Sequence, residues 1–395
     1  MELSTRPKMK IGIEGQRLYR KKKHGMDMVA LELIKSLQKI DTHNEYVVFV
    51  RPDFDNICIP KAPNFKIVEV HSRFGYPGWE QFALPKAAYA QGCDVLHCTS
   101  NTGPLFSKVP LITTLHDIIY LESISLFKKE GTWYQKLGNM YRRYCVPPVI
   151  KRSKKVITVS NYEKNRINSH FGFTDDRLTA IYNGVGGHFK KVTDQSRLNA
   201  IKEKYGLPDK FFFFLGNTDP KKNTKGVLKA FADFNEQYPD QYKLVMLDYD
   251  KIEFERLLNT LKIEAIKDLV HLTGYVQNLD LPAIISQCTV FLYPSLRESF
   301  GIPILEGMAC GVPVITSNTS SMPEVAGKDA ALIVDPFDSK QITDALITLV
   351  EDNTLAHLLA EKGIERAKNF SWEVMAKNVL ELYQDVHKEL KHETV

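Results

Sequence analysis

No stretch of the 395-residue sequence approaches the roughly 18 consecutive apolar residues of a membrane-spanning helix. The opening MELSTRPKMKIGIEG also lacks the apolar core of a secretory leader. Together these absences set the expectation of a soluble, cytoplasmic protein. The six cysteines (Cys58, Cys93, Cys98, Cys145, Cys288, Cys310) include no CxxC pair, and the spacing of Cys93 and Cys98 fits no common zinc or redox motif. Reduced, mostly buried thiols are expected instead. Low-complexity tracts and short repeats are missing too, and 44% hydrophobic with 25% charged residues excludes a disordered or collagen-like chain. At roughly 150 residues per domain, the length predicts two to three domains.

The glycine fingerprint of dinucleotide enzymes is also wanting, since it demands GxGxxG directly after a strand and opening a helix. The first strand runs instead into GIEGQRLYRKKKHG, whose glycines Gly12, Gly15 and Gly25 are wrongly spaced, and NGVGGHF lacks the third glycine. Nicotinamide chemistry is left as a minor alternative.

What the sequence does hold is an alternation of short β-branched or aromatic runs with helix-length segments, the pattern of parallel α/β architecture. Candidate strands in the first half are 10–13, 46–50, 66–70, 94–98, 111–115, 156–159 and 178–181; in the second half they are 211–215, 243–247, 269–272, 289–293, 312–316 and 331–334. The stretch NGVGGHFKKVTDQS (183–196) interrupts every period and reads as a linker. This divides the chain into an N-terminal domain, 1–185, and a C-terminal domain, 186–371. The closing segment 372–395 carries Val374, Met375, Val379, Leu380, Leu382, Tyr383 and Val386, enough for a broad apolar stripe, and is expected to pack back on the N-terminal domain. Doubly wound sheets bind ligands at the carboxyl ends of their strands, and two of them facing each other make a deep cleft.

The net charge of +5 is unevenly spread: residues 1–185 hold 28 Lys and Arg against 17 Asp and Glu, and the remainder 24 against 30. Two runs concentrate the excess, Arg17, Arg20, Lys21, Lys22 and Lys23, and then Arg142, Arg143, Lys151, Arg152, Lys154 and Lys155. Such runs suit phosphates or an anionic membrane surface, and read equally as solvated faces. Nucleic acid is disfavoured because few aromatics, Tyr19 and Tyr144, interleave with them.

Two loops invite chemistry. After the first strand, a long and flexible stretch from Gly15 to Gly25 precedes an amphipathic helix, so amides near Gly25 can meet an anion at its N-terminus; a plain tight turn is the competing reading. After strand 289–293 comes LRESFGIPILEGMACGVPVITSNTSSMPEV. Glu298 lies on the strand-to-helix loop, and Glu306 about one turn into a helix whose first turn holds Pro303. Ser299, Phe300 and Gly301, continued by Ile302, offer amides at a helix N-terminus, where glycine permits close approach of a diphosphate. Glu306 is then placed to accept hydrogen bonds from ribose hydroxyls, and Glu298 to reach a sugar beyond the phosphates. The arrangement fits a nucleotide diphospho-sugar, although either glutamate alone reads as an ordinary charge.

This segment resembles the retaining GT-B glycosyltransferases, specifically glycosyltransferase family 4 (glycosyl transferases group 1), which includes sucrose synthases and bacterial mannosyltransferases. Its Glu, seven residues, Glu motif is matched by Glu298 and Glu306 in ESFGIPILE. Further matches are GNTDPKKN, TGYVQNLDLPAIISQCTVFLYPS, ACGVPVITSNTSSMPEVAG and FSWE, with looser ones in LITTLHDI, ITVSNYEK and AIYNGV. The resemblance covers nearly the whole chain. It implies GT-B architecture, two Rossmann-like parallel-sheet domains facing across a cleft, acceptor bound by the first and nucleotide-sugar donor by the second.

The same resemblance implies transfer of a hexose, with retention, from a nucleotide diphosphate sugar to a hydroxyl of a glycan or lipid-linked acceptor. Lys222 matches the donor-phosphate lysine, and His116 the histidine beside the donor sugar. Asn217 stands where many relatives have an arginine, which removes one charge from the phosphate clamp. No metal and no cofactor are expected, with GDP-mannose favoured as donor and a UDP-sugar as the alternative. Asp117 reads as a helix cap or an acceptor contact, and Ser160 and Asn161 as an N-cap first. Relatives carry a glycine near Asp248, so the DYD segment, Asp248 to Asp250, departs from the family. A peripheral hold on an anionic membrane is expected around Lys21 and Lys154 if the acceptor is a lipid diphosphate. Two rival readings are a sugar-nucleotide epimerase of the same architecture and a noncatalytic nucleotide-binding subunit.

Overall fold

The computed structural model describes residues 7–122, 133–173, 176–247 and 249–393. Its contacts divide the chain into two compact units, Met1–Asn183 with Trp372–Val395, and Gly184–Ser371. Each unit is built on one wholly parallel sheet.

In the first unit the strands are β1 (Lys10–Gly15), β2 (Glu45–Val50), β3 (Phe65–Glu69), β4 (Val95–Cys98), β5 (Leu111–Thr114), β6 (Lys155–Thr158) and β7 (Leu178–Ala180), in the spatial order β3-β2-β1-β4-β5-β6-β7. The second unit holds β8 (Phe211–Phe214), β9 (Lys243–Met246), β10 (Val270–Leu272), β11 (Val290–Tyr293), β12 (Val314–Ser317) and β13 (Leu332–Val334), in the order β10-β9-β8-β11-β12-β13. Both orders reverse direction beside the unit's first strand, between β1 and β4 and between β8 and β11. Ligands of open α/β sheets sit at such a reversal, outside the carboxyl ends of the strands.

Central parallel strands are covered on both faces and therefore read as unbroken apolar runs. β8 is the extreme case, four buried phenylalanines. Phe212 packs on Phe231 and Phe234, both from the helix Thr224–Gln237, and stacks on Tyr242, whereas Phe213 meets Phe291 of β11. All thirteen strands fall within two residues of their expected positions. β12 shows the largest offset at its start, because Pro313 has no N–H to donate to a ladder and the strand opens only at Val314.

Two expectations need correcting. The linker ends at Asp194, whose carboxylate accepts from the N–H groups of Ser196 and Arg197 and so caps a helix, Gln195–Tyr205. The stretch after β1 is not a flexible loop: Leu18 and Tyr19 are buried, the Leu18 N–H bonds the Gly15 carbonyl at 3.0 Å, and the Asp55 N–H bonds the Tyr19 carbonyl at 2.8 Å. Much of the first basic run is consumed here, since Arg17 pairs with Asp27 and Lys23 with Asp55.

The closing helix, Trp372–Glu393, belongs to the first unit and packs on the helix Gly25–Ile40. Its Tyr383 is fully buried, with its hydroxyl 2.6 Å from Nδ1 of His97 on β4, while His97 Nε2 lies 2.7 Å from the Thr114 hydroxyl on β5. Burial lowers the His97 pKa to about 3, so the ring is neutral. Among the described residues no helix is long and apolar enough to cross a membrane.

Candidate active site

In the second unit, the loop after β8 tightens at once. Asp219 caps a short 3₁₀ turn, Pro220–Lys222, by accepting from the Lys221 N–H at 3.1 Å. Asn223 follows in a left-handed conformation (φ 62°), and its side-chain amide donates to the carbonyls of Pro294 and Pro336. The turn is thereby bolted to the loop after β11, and the Leu296 N–H adds a bond to the Lys221 carbonyl at 2.7 Å.

This clamp aims Lys222 across the topological reversal. Its ammonium donates to Glu298 Oε1 at 2.7 Å and to the Tyr293 hydroxyl at 2.6 Å. Lys222 and Glu298 keep only 16% and 12% of their side-chain surface, so the pair is shielded yet reachable. Lys221 stays exposed and leans on Asp219. Asn217 is exposed, and its side-chain oxygen accepts from the Asp219 N–H at 2.8 Å. It shapes the loop and brings no charge to it.

The Glu298 loop is stapled from its other side by the hydroxyl-rich loop after β12. The Glu298 N–H donates to Ser320 Oγ, and the Ser321 hydroxyl lies within hydrogen-bonding distance of the carbonyls of Glu298 and Phe300. Gly301 takes φ 102°, which a residue with a Cβ rarely adopts, and the chain turns there into the helix Ile302–Ala309. Glu306 lies on that helix with part of its surface accessible, but its carboxyl is deep enough that burial pushes its pKa up to about 7, against the pull of Lys222. One unit thus gathers a cation, a carboxylate paired with it, a second carboxylate poised near neutrality and a glycine-opened helix N-terminus.

Sequence reasoning did not find Tyr293, Asn223, Ser320 and Ser321. The signal was the hydroxyl run TSNTSS directly after a strand, and an aromatic hydroxyl closing FLY.

His116 lies in the first unit, just after β5, and is buried. Its Nε2 is 3.0 Å from the Thr99 carbonyl, which only accepts, so the proton sits on Nε2 and Nδ1 is left as an acceptor. Burial lowers the His116 pKa and keeps the ring neutral. Gly25 opens its helix in unobstructed space, but that first turn carries its own anion. Asp27 accepts from the His24 N–H at 3.0 Å and pairs with Arg17, so a phosphate at Gly25 would meet a negative charge already in place. Ser160 is an N-cap, bonded by the Glu163 N–H, and Asp117 accepts from the Ile119 N–H. Asp250 caps the helix Lys251–Leu261, and Asp248 lies outside the described residues. No group of three metal-binding side chains occurs among the described residues.

Comparison with known proteins gives these loops a context. A model of "Glycosyl transferases group 1" matches residues 198–385, and one of "Glycosyltransferase Family 4" matches residues 24–186. The chain belongs to this glycosyltransferase family. The O-antigen chain mannosyltransferase B of Escherichia coli is 28% identical over 274 residues, 69% of this chain and 70% of that protein. The serotype-specific mannosyltransferase WbdA, also from E. coli, is 30% identical over 228 residues, 56% of this chain but only 28% of WbdA. Among solved structures, Anabaena HepE in complex with UDP and glucose superposes with a TM-score of 0.71 at 18% identity, covering 95% of this glycosyltransferase and 99% of HepE. The two parallel-sheet units and such neighbours give this glycosyltransferase the GT-B architecture.

Proposed function

We propose that this glycosyltransferase moves a hexose, mannose by preference, from a nucleotide diphosphate sugar to a hydroxyl of a glycan or lipid-linked acceptor in surface-polysaccharide synthesis, with retention at the anomeric carbon. The observation that carries the donor site is the Lys222–Glu298 pair at the β8/β11 reversal, with Glu306 behind it. An arriving donor exchanges partners with this pair. Lys222 turns to the diphosphate, whose charge grows as the glycosidic bond breaks, and Glu298 is released to accept hydrogen bonds from the sugar. Glu306 takes the ribose hydroxyls, and the chain at Ser299 to Ile302 supplies the approach for the phosphates. The leaving phosphate receives the acceptor proton, so no protein nucleophile is called for.

His116 accepts a hydrogen bond from a sugar hydroxyl through Nδ1. The first unit takes the acceptor. The exposed cations Lys21, Lys22, Lys151 and Arg152 give it an attraction to anionic lipid. Mannose is favoured because relatives named as mannosyltransferases align over this chain. The test is a thermal-shift screen against GDP-mannose, UDP-glucose and UDP-N-acetylglucosamine, followed by NMR of the product's anomeric configuration. Stabilisation by GDP-mannose and an axial product linkage are expected. Stabilisation by none of them removes the donor reading, and isomerisation of the donor without acceptor supports an epimerase instead.

A further inference from the structure

The carboxyl ends of β1 and β4 in the first unit hold a second polar constellation, distinct from the loops that bind nucleotide in this reading. Its hub is Glu80, which is buried. It sits in a π-helical turn, Trp79–Ala83, where the wider winding brings Glu80 and Gln81 to one network. Buried Trp79 anchors the turn through its indole N–H, 2.9 Å from the Val70 carbonyl.

Four donors converge on Glu80. Thr102 and Tyr76 donate hydroxyls to Oε1 at 2.5 and 3.2 Å, while Tyr141 and the Gln81 amide donate to Oε2 at 2.5 and 3.1 Å. Those donors come from the turn Gly75–Gly78, the π turn itself, the loop after β4 and the helix Trp133–Arg152. Every acceptor position of the carboxylate is filled, so Glu80 has nothing left with which to bind a ligand directly. Its product is the fixed placement of two tyrosines. The rings of Tyr76 and Tyr141 pack edge to face at 5.9 Å, and both residues keep accessible surface. Both hydroxyls are turned inward onto Glu80, which leaves the rings as the part of each side chain that can meet a ligand.

The charges beside this pair say what kind of molecule suits it. Glu14, at the end of β1, is buried and accepts from the Gln16 N–H and the Thr99 hydroxyl. Arg17 lies 3.1 Å from Asp27 in an ion pair, and its Nη2 has no hydrogen-bond partner among the described residues. Burial opposes the Arg17 charge, and Tyr76, Asp27, Glu14 and Glu80 together outweigh it and raise its pKa. Arg17 is already matched by Asp27, with buried Glu14 and Glu80 in the same surroundings, which leaves no free cation for a phosphate and favours a neutral ligand. An aromatic face fits the apolar C–H face of a pyranose.

We propose that Tyr76 and Tyr141 form a platform for the neutral sugar ring of the acceptor, and that Glu80 is the positioning residue that holds the platform in place. This rests on the reading that the first unit takes the acceptor. The experiment is transfer from the stabilising nucleotide sugar to a panel of octyl glycosides, with Glu80→Gln, Tyr141→Leu and the double variant, and with the thermal shift caused by the donor recorded for each. Glu80→Gln and Tyr141→Leu should each raise the acceptor KM about tenfold at unchanged donor-induced shift. The double variant should be no worse than the poorer single one, because both break one device. A KM within about twofold of wild type in both folded single variants overturns the platform and leaves the transfer reading standing. Wild-type protein that binds donor yet glycosylates no octyl glycoside removes the acceptor reading and the platform with it.

Discussion

The two units share a topology and a strand-order reversal, but they furnish the carboxyl edge of that reversal in opposite ways. At the β8/β11 reversal a few charges stand with few partners: Lys222 shared between Glu298 and Tyr293, and Glu306 with its pKa near 7. At the β1/β4 reversal a buried carboxylate is saturated by four donors, and a buried glutamate next to it is bonded by backbone and hydroxyl. A site that meets a diphosphate needs charges free to change partners. A site that meets a neutral ring needs surfaces that do not move. The difference predicts that substitutions in the second unit cost activity with little stability, and those in the first cost stability or acceptor affinity.

The largest effect is expected at Lys222. On the proposed function Lys222 faces the leaving group, so Lys222→Ala should lower kcat about 10²- to 10³-fold, the range for loss of one preorganised electrostatic group. The variant's stability should fall by no more than about 1–3 kcal/mol, the cost of leaving the shielded Glu298 and Tyr293 hydroxyl without their donor. Steady-state kinetics beside a melting curve checks both, and a collapse of stability would place Lys222 in the structural class with Glu80. Next comes Glu298→Gln, which keeps the shape but makes a weaker acceptor for the sugar hydroxyls proposed to meet it. It should slow transfer about 10-fold or more while nucleotide diphosphate affinity, read by calorimetry, holds.

Glu306 sharpens the contrast through pH. Its folded pKa of about 7 lies above the ordinary 4.5, so ionisation is uphill in the folded state, and this group's contribution to stability falls as pH rises from about 4.5 to 7. Glu306→Gln should therefore melt higher than wild type at pH 8, by an amount on the order of 1–3 kcal/mol, and lose that advantage at pH 5. The same variant should bind nucleotide about tenfold more weakly at pH 8, because a carboxylate accepts from two ribose hydroxyls and an amide oxygen does so less well. Higher stability with unchanged affinity would detach Glu306 from the ribose.

These differences also explain how far the sequence could be read. Strands such as FFFF at 211–214 announce themselves, because burial on both faces requires apolar residues and nothing else. Read alone, either glutamate was an ordinary charge; Lys222, Glu298 and Glu306 were singled out because together they match a family pattern. Glu80 and Arg17 were not. A buried carboxylate becomes intelligible only when its donors, at positions 76, 81, 102 and 141, are brought together by the fold, and no local period encodes that. Glu14 did leave a mark, a charge inside the otherwise apolar KIGIEG of a central strand. The Gly25 loop misled for the complementary reason: its basic and glycine residues suggested freedom, whereas Leu18, Tyr19 and the Arg17–Asp27 pair pin it.

The smallest effect tests the first unit away from any ligand. Tyr383→Phe on the closing helix deletes the partner of His97 Nδ1, leaving a buried polar atom unmatched at a cost of about 1–3 kcal/mol. At about 2–4 °C per kcal/mol for a unit of this size, the midpoint should fall by several degrees, while nucleotide affinity stays as in wild type. The pH sign is opposite to that of Glu306. His97 has its pKa lowered from 6.5 to about 3, so the stability it contributes is complete above about 6.5 and is lost as pH falls toward 3. Burial and the nearby His116 keep the ring neutral with or without the Tyr383 hydroxyl, so the variant should lose as much stability as wild type between pH 7 and pH 5. A smaller acid sensitivity in the variant would mean that the bond to the closing helix, and not burial alone, holds His97 neutral.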